Sequence, residues 1–161
     1  MIRNIELSDA KQICELYNFY VENAVCTFEM DPVSVEEMTK RIENITESYP
    51  WIVAEEDGLI IGYAYAGKWK ERSAYKFTVE ASVYIRSGYE GNRLGTTMYT
   101  SLIRRLRAQG IHAVIGGVVL PNVQSERLHE RLGFKKIGFF SEVGYKFDGW
   151  RDVGYYELIL N

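Results

Sequence analysis

The chain has 161 residues, of which 47% are hydrophobic and 14% aromatic, enough apolar material for one folded domain spanning 1–161. A formal net charge of -3 with dispersed Lys and Arg leaves no basic field for nucleic acid, and no apolar run approaches the length that crosses a bilayer. There is no apolar core of signal-peptide length near the start. Cys14 and Cys26 stand at no metal-ligand spacing, so a cytoplasmic protein with reduced thiols and no metal is expected.

In chain order, Ile2 to Glu6 alternates as a first strand, and Ser8 is placed to cap a helix whose apolar face is Ala10, Ile13, Leu16, Tyr17 and Tyr20. AVCTFEMDP breaks that pattern. Ser34 with Glu37 three residues on forms a capping-box signature for a second helix running to Tyr49, where Pro50 stops it. Trp51–Glu55 and Leu59–Trp69 flank Asp57-Gly58, a hairpin dipeptide, and KWKERSAYK then forms a polar, aromatic loop. From Phe77 to Ile85, Phe77, Val79, Ala81, Val83 and Ile85 alternate with Thr78, Glu80, Ser82 and Tyr84, the period of a strand with one buried face and a carboxylate at its middle.

The turn SGYEGN leads into a helix with Leu94, Met98, Leu102 and Leu106 at every fourth residue, closed by Gly110. Gly91 and Gly95 at its start let backbone N–H groups approach a ligand, so the loop can hold a phosphate. Ala113–Leu120 is a continuous apolar run of buried-strand type. Asn122 opens a further helix carrying Ser125, Leu128 and Leu132, with Gly133 as its cap. Lys135–Val143 and Asp152–Leu160 close the chain as two strands joined by the loop GYKFDGW. The order is strand, two helices, three strands, helix, strand, helix, two strands.

With that order in place, the strings YPWIVAEEDGLIIGYAYAGKW, TVEASVYI, LGTTM, PNVQSERLHERLGF and VGYKFDGWRDVGYYEL resemble the GNAT N-acetyltransferase superfamily. Within it they are most similar to the branch of phosphinothricin and methionine sulfone or sulfoximine acetyltransferases. The resemblance implies an α/β (α+β) fold: a mixed, mostly antiparallel seven-stranded sheet splayed between strands 4 and 5, with four flanking helices. It implies acetyl-CoA as co-substrate in the V-shaped gap. Val83, Tyr84 and Ile85 would bond its pantetheine arm along the strand edge, with Asn122 and Ser125 on the opposite side. Gly91, Asn92, Arg93, Leu94, Gly95 and Thr96 would cradle its pyrophosphate. The family's cradle usually begins with Arg or Gln and has glycine three residues on; this sequence has Glu90 and Arg93 there.

Acetyl transfer to an amine needs a base to deprotonate the nucleophile and donors where the carbonyl oxygen becomes negative. By the same resemblance Glu80 is the general base, and the N–H of Val83 or Tyr84 the oxyanion donor. His129 stands where many relatives carry a Tyr that protonates the departing thiolate, and the resemblance implies either that catalytic role for its imidazole or a packing role within LHERLGF. Phe28, Lys70, Arg72 and Tyr75 fall in the segments that line the acceptor pocket, and Ala81 replaces a histidine of the branch string. The expected activity is N-acetylation of the α-amino group of a small amino-acid-like acceptor by direct attack in a ternary complex. A protein or peptide N-acetyltransferase and a non-catalytic acetyl-CoA-binding module are the alternatives. Relatives in the branch imply a homodimer.

Overall fold

The computed structural model describes residues 1–161. Seven strands, β1 (Ile2–Asn4), β2 (Trp51–Glu56), β3 (Leu59–Lys68), β4 (Thr78–Ile85), β5 (Ala113–Leu120), β6 (Lys135–Lys146) and β7 (Gly149–Ile159), form one sheet in the order β1-β2-β3-β4-β5-β7-β6. All neighbours are antiparallel except β4 and β5. Four helices flank it: α1 (Ala10–Asn23), α2 (Val35–Thr46), α3 (Leu94–Gln109) and α4 (Val123–Arg131). The expected seven-stranded sheet with four helices is therefore present.

Both faces of the sheet centre are covered. Ile52, Ala54, Val79, Ala81 and Val114 pack against Met98, Tyr99, Leu102 and Leu106 of α3, while Trp51, Val53, Ile60 and Tyr63 pack against Ile13, Leu16, Met38 and Ile42 of α1 and α2. Because strand side chains alternate, β4 sends Val79 and Ala81 toward α3 and sends Glu80, Ser82 and Tyr84 toward α1.

The decisive feature is where β4 and β5 stop pairing. Their parallel ladder covers only Thr78–Ala113, Val79–Val114 and Glu80–Ile115, after which the two strands run on without further pairing. The splay thus opens at Glu80. From there the β5-facing edge of β4 is left without a strand partner.

Several local expectations change. Ser8 is not the cap of α1; a short 3-10 turn over Leu7–Asp9 precedes the helix, and the Asp9 carboxylate accepts the Glu6 N–H at 2.8 Å while Arg3 grips both its oxygens. The Asp9 side chain thus closes the 3-10 turn and caps no N–H of α1. Ser34 caps α2 by accepting the Glu37 N–H at 3.1 Å, but the Glu37 side chain turns to Arg41 instead of completing a capping box. The helix itself ends at Thr46, before Tyr49. The loop GYKFDGW is a loop only at its centre: β6 and β7 extend through it to a two-residue turn at Phe147-Asp148, with φ of 51° and 54°. Aspartate tolerates such angles, and the mirror-image turn matches the twist of a hairpin.

Candidate active site

Two cavities meet across the splay. The first, about 290 Å³, lies between the freed edge of β4 (Val83, Tyr84, Ile85), the end of β5 and the starts of α3 and α4, where Gly95, Asn122 and Ser125 contribute. The second, about 330 Å³, lies on the α1 side, with Glu80, Phe28, Val153 and Tyr155 in its wall. Cys26, Ala81, Ser82, Tyr84, Gly117 and Val119 border both. A ligand in one cavity therefore abuts a ligand in the other at the mouth of the splay.

The first cavity is lined with unused backbone polarity. Arg86 N–H donates to the Ile61 carbonyl on β3, so by alternation Tyr84 and Ser82 also face β3, and Val83 and Ile85 face the gap. This removes Tyr84 N–H as an oxyanion donor, because it is spent in the β3 ladder, and leaves Val83. The Ile85 carbonyl accepts from the Tyr20 hydroxyl. At the α3 start, Gly91 has φ 97° and Arg93 φ 58°, and none of the N–H groups from Glu90 to Thr96 donates within the protein. Gly91, having no Cβ, takes its positive φ at no steric cost, and the run of free donors at a helix start forms an anion nest. Glu90 borders the same cavity, but its carboxylate is tied back to Gly88 N–H at 2.7 Å, and the Arg93 side chain is exposed. Asn122 Oδ1 caps α4 by accepting Ser125 N–H at 3.1 Å, which leaves its amide NH2 to face a ligand.

Tyr99 and His129 form the floor of this cavity and are the residues that sequence reading weighs least well. His129 is only 6% exposed and stacks on Tyr156. Its Nδ1 donates to the Ser125 carbonyl at 2.7 Å, so the neutral ring offers Nε2 as an acceptor to the Tyr99 hydroxyl at 3.3 Å. Burial holds the imidazole below its ordinary pKa and pushes the Tyr99 phenol up. At neutral pH this is an uncharged pair. Tyr99 falls on the apolar stripe of α3, so spacing alone reads it as core.

In the second cavity Glu80 is the sole ionisable carboxylate of the wall and makes no hydrogen bond or ion pair with any protein group. Partial desolvation raises its pKa above the ordinary carboxylate range. Its Oε2 lies 3.8 Å from where a Cβ on Gly117 would stand, so the carboxylate reaches across the mouth of the splay. Phe28 is laid over the Gly144 backbone, and the α1–α2 connection that carries it is pinned by Lys146 Nζ donating to the Thr27 carbonyl at 2.9 Å. Lys70, Arg72 and Tyr75 line neither cavity. Lys70 Nζ sits 5.5 Å from the Trp69 ring centre, and Tyr75 lies in an exposed 3-10 turn. Trp69 itself meets Tyr155, a wall residue, edge-on.

A sheet that parts to give a donor-lined slot, with an unpaired carboxylate at the point of parting, is the architecture of a group-transfer enzyme of the acyltransferase class. The chain belongs to the GNAT acetyltransferase family, whose acetyltransferase (GNAT) domain matches residues 2–154, and it is an N-acetyltransferase. A phosphinothricin N-acetyltransferase of Streptomyces viridochromogenes is 40% identical over 156 residues, covering 97% of this chain and 85% of that protein. An L-methionine sulfoximine/L-methionine sulfone acetyltransferase of Pseudomonas aeruginosa is 34% identical over 162 residues, covering 99% and 94%. Among solved structures, a phosphinothricin acetyltransferase of Sinorhizobium meliloti in complex with AcCoA has a TM-score of 0.97 at 34% identity, covering 100% of this chain and 88% of that one.

Proposed function

We propose that the protein transfers the acetyl group of acetyl-CoA to the α-amino group of a small amino-acid-like acceptor, by direct attack in a ternary complex. The observation that carries this reading is the junction of two cavities at Glu80, one lined by free backbone donors and the other by an unpaired carboxylate. The residues fit acetyl-CoA. Val83 and Ile85 offer a strand edge to an amide-bearing arm, the N–H groups of Gly91, Asn92, Arg93, Leu94, Gly95 and Thr96 offer donors to a pyrophosphate, and Asn122 and Ser125 close the slot. When bound, the cofactor supplies an activated acetyl thioester.

Glu80, with its raised pKa, takes the proton that the acceptor amine must lose before it has a lone pair to attack. Val83 N–H is directed at the gap, where the carbonyl oxygen gains charge. The Tyr99 hydroxyl, which donates to His129 Nε2 in the structure, turns its one proton toward the departing sulfur in this reading, and its raised pKa keeps that proton on the phenol while the thiolate takes its own from solvent. His129, neutral and fixed by Ser125, orients that hydroxyl. Phe28 walls the acceptor side. The acceptor types suggested by the relatives are phosphinothricin, methionine sulfone and methionine sulfoximine.

A thiol-release assay with acetyl-CoA over these acceptors and the common amino acids tests the reading; no release with any acceptor, despite calorimetric binding of acetyl-CoA, would sink it. A homodimer forms part of the proposal. It is supported by the sheet-edge strand β6 and its hairpin partner, which expose Ile137, Phe139, Phe140, Tyr145 and Trp150, each more than half accessible. Sedimentation velocity should give the mass of two copies, and a concentration-independent single-copy mass would refute it.

A further inference from the structure

We infer that the acceptor carries an uncharged side chain, and that this cavity rejects acceptors bearing a second anion such as a phosphinate or side-chain carboxylate. The inference rests on the acetyl-transfer reading above and narrows its acceptor.

The wall of the second cavity contains no Lys, Arg or His. Beside Phe28, Val119, Val143 and Val153 the wall holds polar groups of Ser82, Tyr84 and Tyr155, and its sole carboxylate is Glu80. An acceptor whose amine approaches Glu80 therefore carries its side chain into a cavity that offers hydroxyls but no cation and already holds a carboxylate.

Four cations of the elements around it are committed elsewhere. Lys146 is 1% exposed and gives its ammonium to the Thr27 carbonyl; Arg151 gives two N–H groups to the Lys146 carbonyl at 3.2 and 3.0 Å. Arg41 is paired with Glu29 and Glu37, and Lys68 with Glu71. Lys70 reaches the site only through Trp69, over whose ring it sits, and Trp69 in turn touches the cavity at Tyr155. A cation in that position can meet a carboxylate at the rim, not one carried into the interior.

An anion taken out of water without a counter-charge is costly, so a cavity that offers it no cation discriminates against it. At about 330 Å³ the space is at the small end of ligand sites, which suits one amino-acid-sized molecule.

The test compares kcat/KM for leucine, methionine and methionine sulfone with that for phosphinothricin and glutamate. The neutral acceptors should lead by about 100-fold or more. A phosphinothricin value equal to or above that of methionine sulfone overturns the inference while leaving acetyl transfer intact. A second variant probes the cause: Phe28→Lys, on the partly exposed loop wall, should raise phosphinothricin relative to methionine sulfone at least about tenfold, and an unchanged ratio counts against the electrostatic account. Should no acceptor release thiol, the acetyl-transfer reading fails on its own. Calorimetry of methionine sulfone, leucine and phosphinothricin on the CoA-loaded protein then decides: tighter binding of the neutral compounds supports the inference, and tighter binding of phosphinothricin or no binding by any of the three overturns it.

Discussion

Replacing Glu80 with Gln keeps the shape of the side chain and removes its ability to take a proton. General-base catalysis contributes about 10²–10⁴-fold, or roughly 3–5 kcal/mol of activation free energy, and kcat for the Glu80→Gln variant should fall by that factor. Glu80 lines the second cavity and not the first, so on the acetyl-transfer reading affinity for acetyl-CoA should be unchanged. The parent enzyme should gain activity with rising pH as the carboxyl ionises, and this acidic limb should vanish in the variant. Stability should move the other way. A carboxyl whose folded-state pKa is raised by desolvation binds protons in the folded state that the unfolded chain has already released, so stability falls as pH rises through that interval. Glutamine removes the dependence, and the variant should melt no lower than its parent at pH 7. Stopped-flow thiol release across pH, calorimetry with acetyl-CoA and scanning calorimetry measure the three quantities. Unchanged kcat, or a loss of cofactor affinity that accounts for the whole defect, would refute the assignment.

Tyr99→Phe should lower kcat about tenfold at constant cofactor affinity, and should cost about 1–3 kcal/mol of stability because His129 Nε2 loses its buried partner; denaturant melts and steady-state kinetics report both. Two glycines should respond in opposite ways to alanine. At Gly116 a Cβ would stand 2.4 Å from Nε2 of His129, whose ring is held between Tyr99, Phe134 and Tyr156, so about 2–4 kcal/mol should be lost, seen as a melting point lower by roughly 5–15 °C. At Gly144 a Cβ would meet the Phe28 ring at 2.3 Å, but Phe28 is 38% exposed and can swing away, so Gly144→Ala should leave the melting point nearly unchanged while raising KM for the acceptor. Glu90→Gln should tighten acetyl-CoA about 3- to 10-fold by removing a negative charge from the rim of the anion nest, with a smaller gain at high salt; titration calorimetry at two ionic strengths checks it.

Strands and helices whose apolar period is undisturbed, from Trp51 to Leu120, were legible in the sequence within a residue or two. The misplaced elements are those decided by side-chain competition or turn geometry. A 3-10 turn braced by Arg3, six residues before Asp9, stands where a Ser8 cap was expected, and the β6–β7 hairpin continues through an aromatic segment because Phe147 and Asp148 adopt positive φ. Glu80 was visible as a lone carboxylate on a strand. That the splay opens at that residue depends on the β4–β5 register, a long-range fact with no local mark. Tyr99 and Tyr20 carry hydroxyls toward the slot yet sit on helical stripes that spell core, and Lys70, Arg72 and Tyr75 fall in a loop whose path the sequence does not specify.

Ala81, Ser82 and Tyr84 each border both cavities, so this short run of β4 serves two clients at once. Almost any change there alters how donor and acceptor meet, and divergence toward new acceptors is channelled elsewhere. Phe28 on the α1–α2 connection, and Val143, Val153 and Tyr155 on the terminal hairpin, line the Glu80 cavity alone, which the proposed reading gives to the acceptor. They can drift without disturbing the shared chemistry. A fold divided in this way keeps a single reaction while exchanging its substrates, and libraries meant to redirect the enzyme belong on the loop and the hairpin.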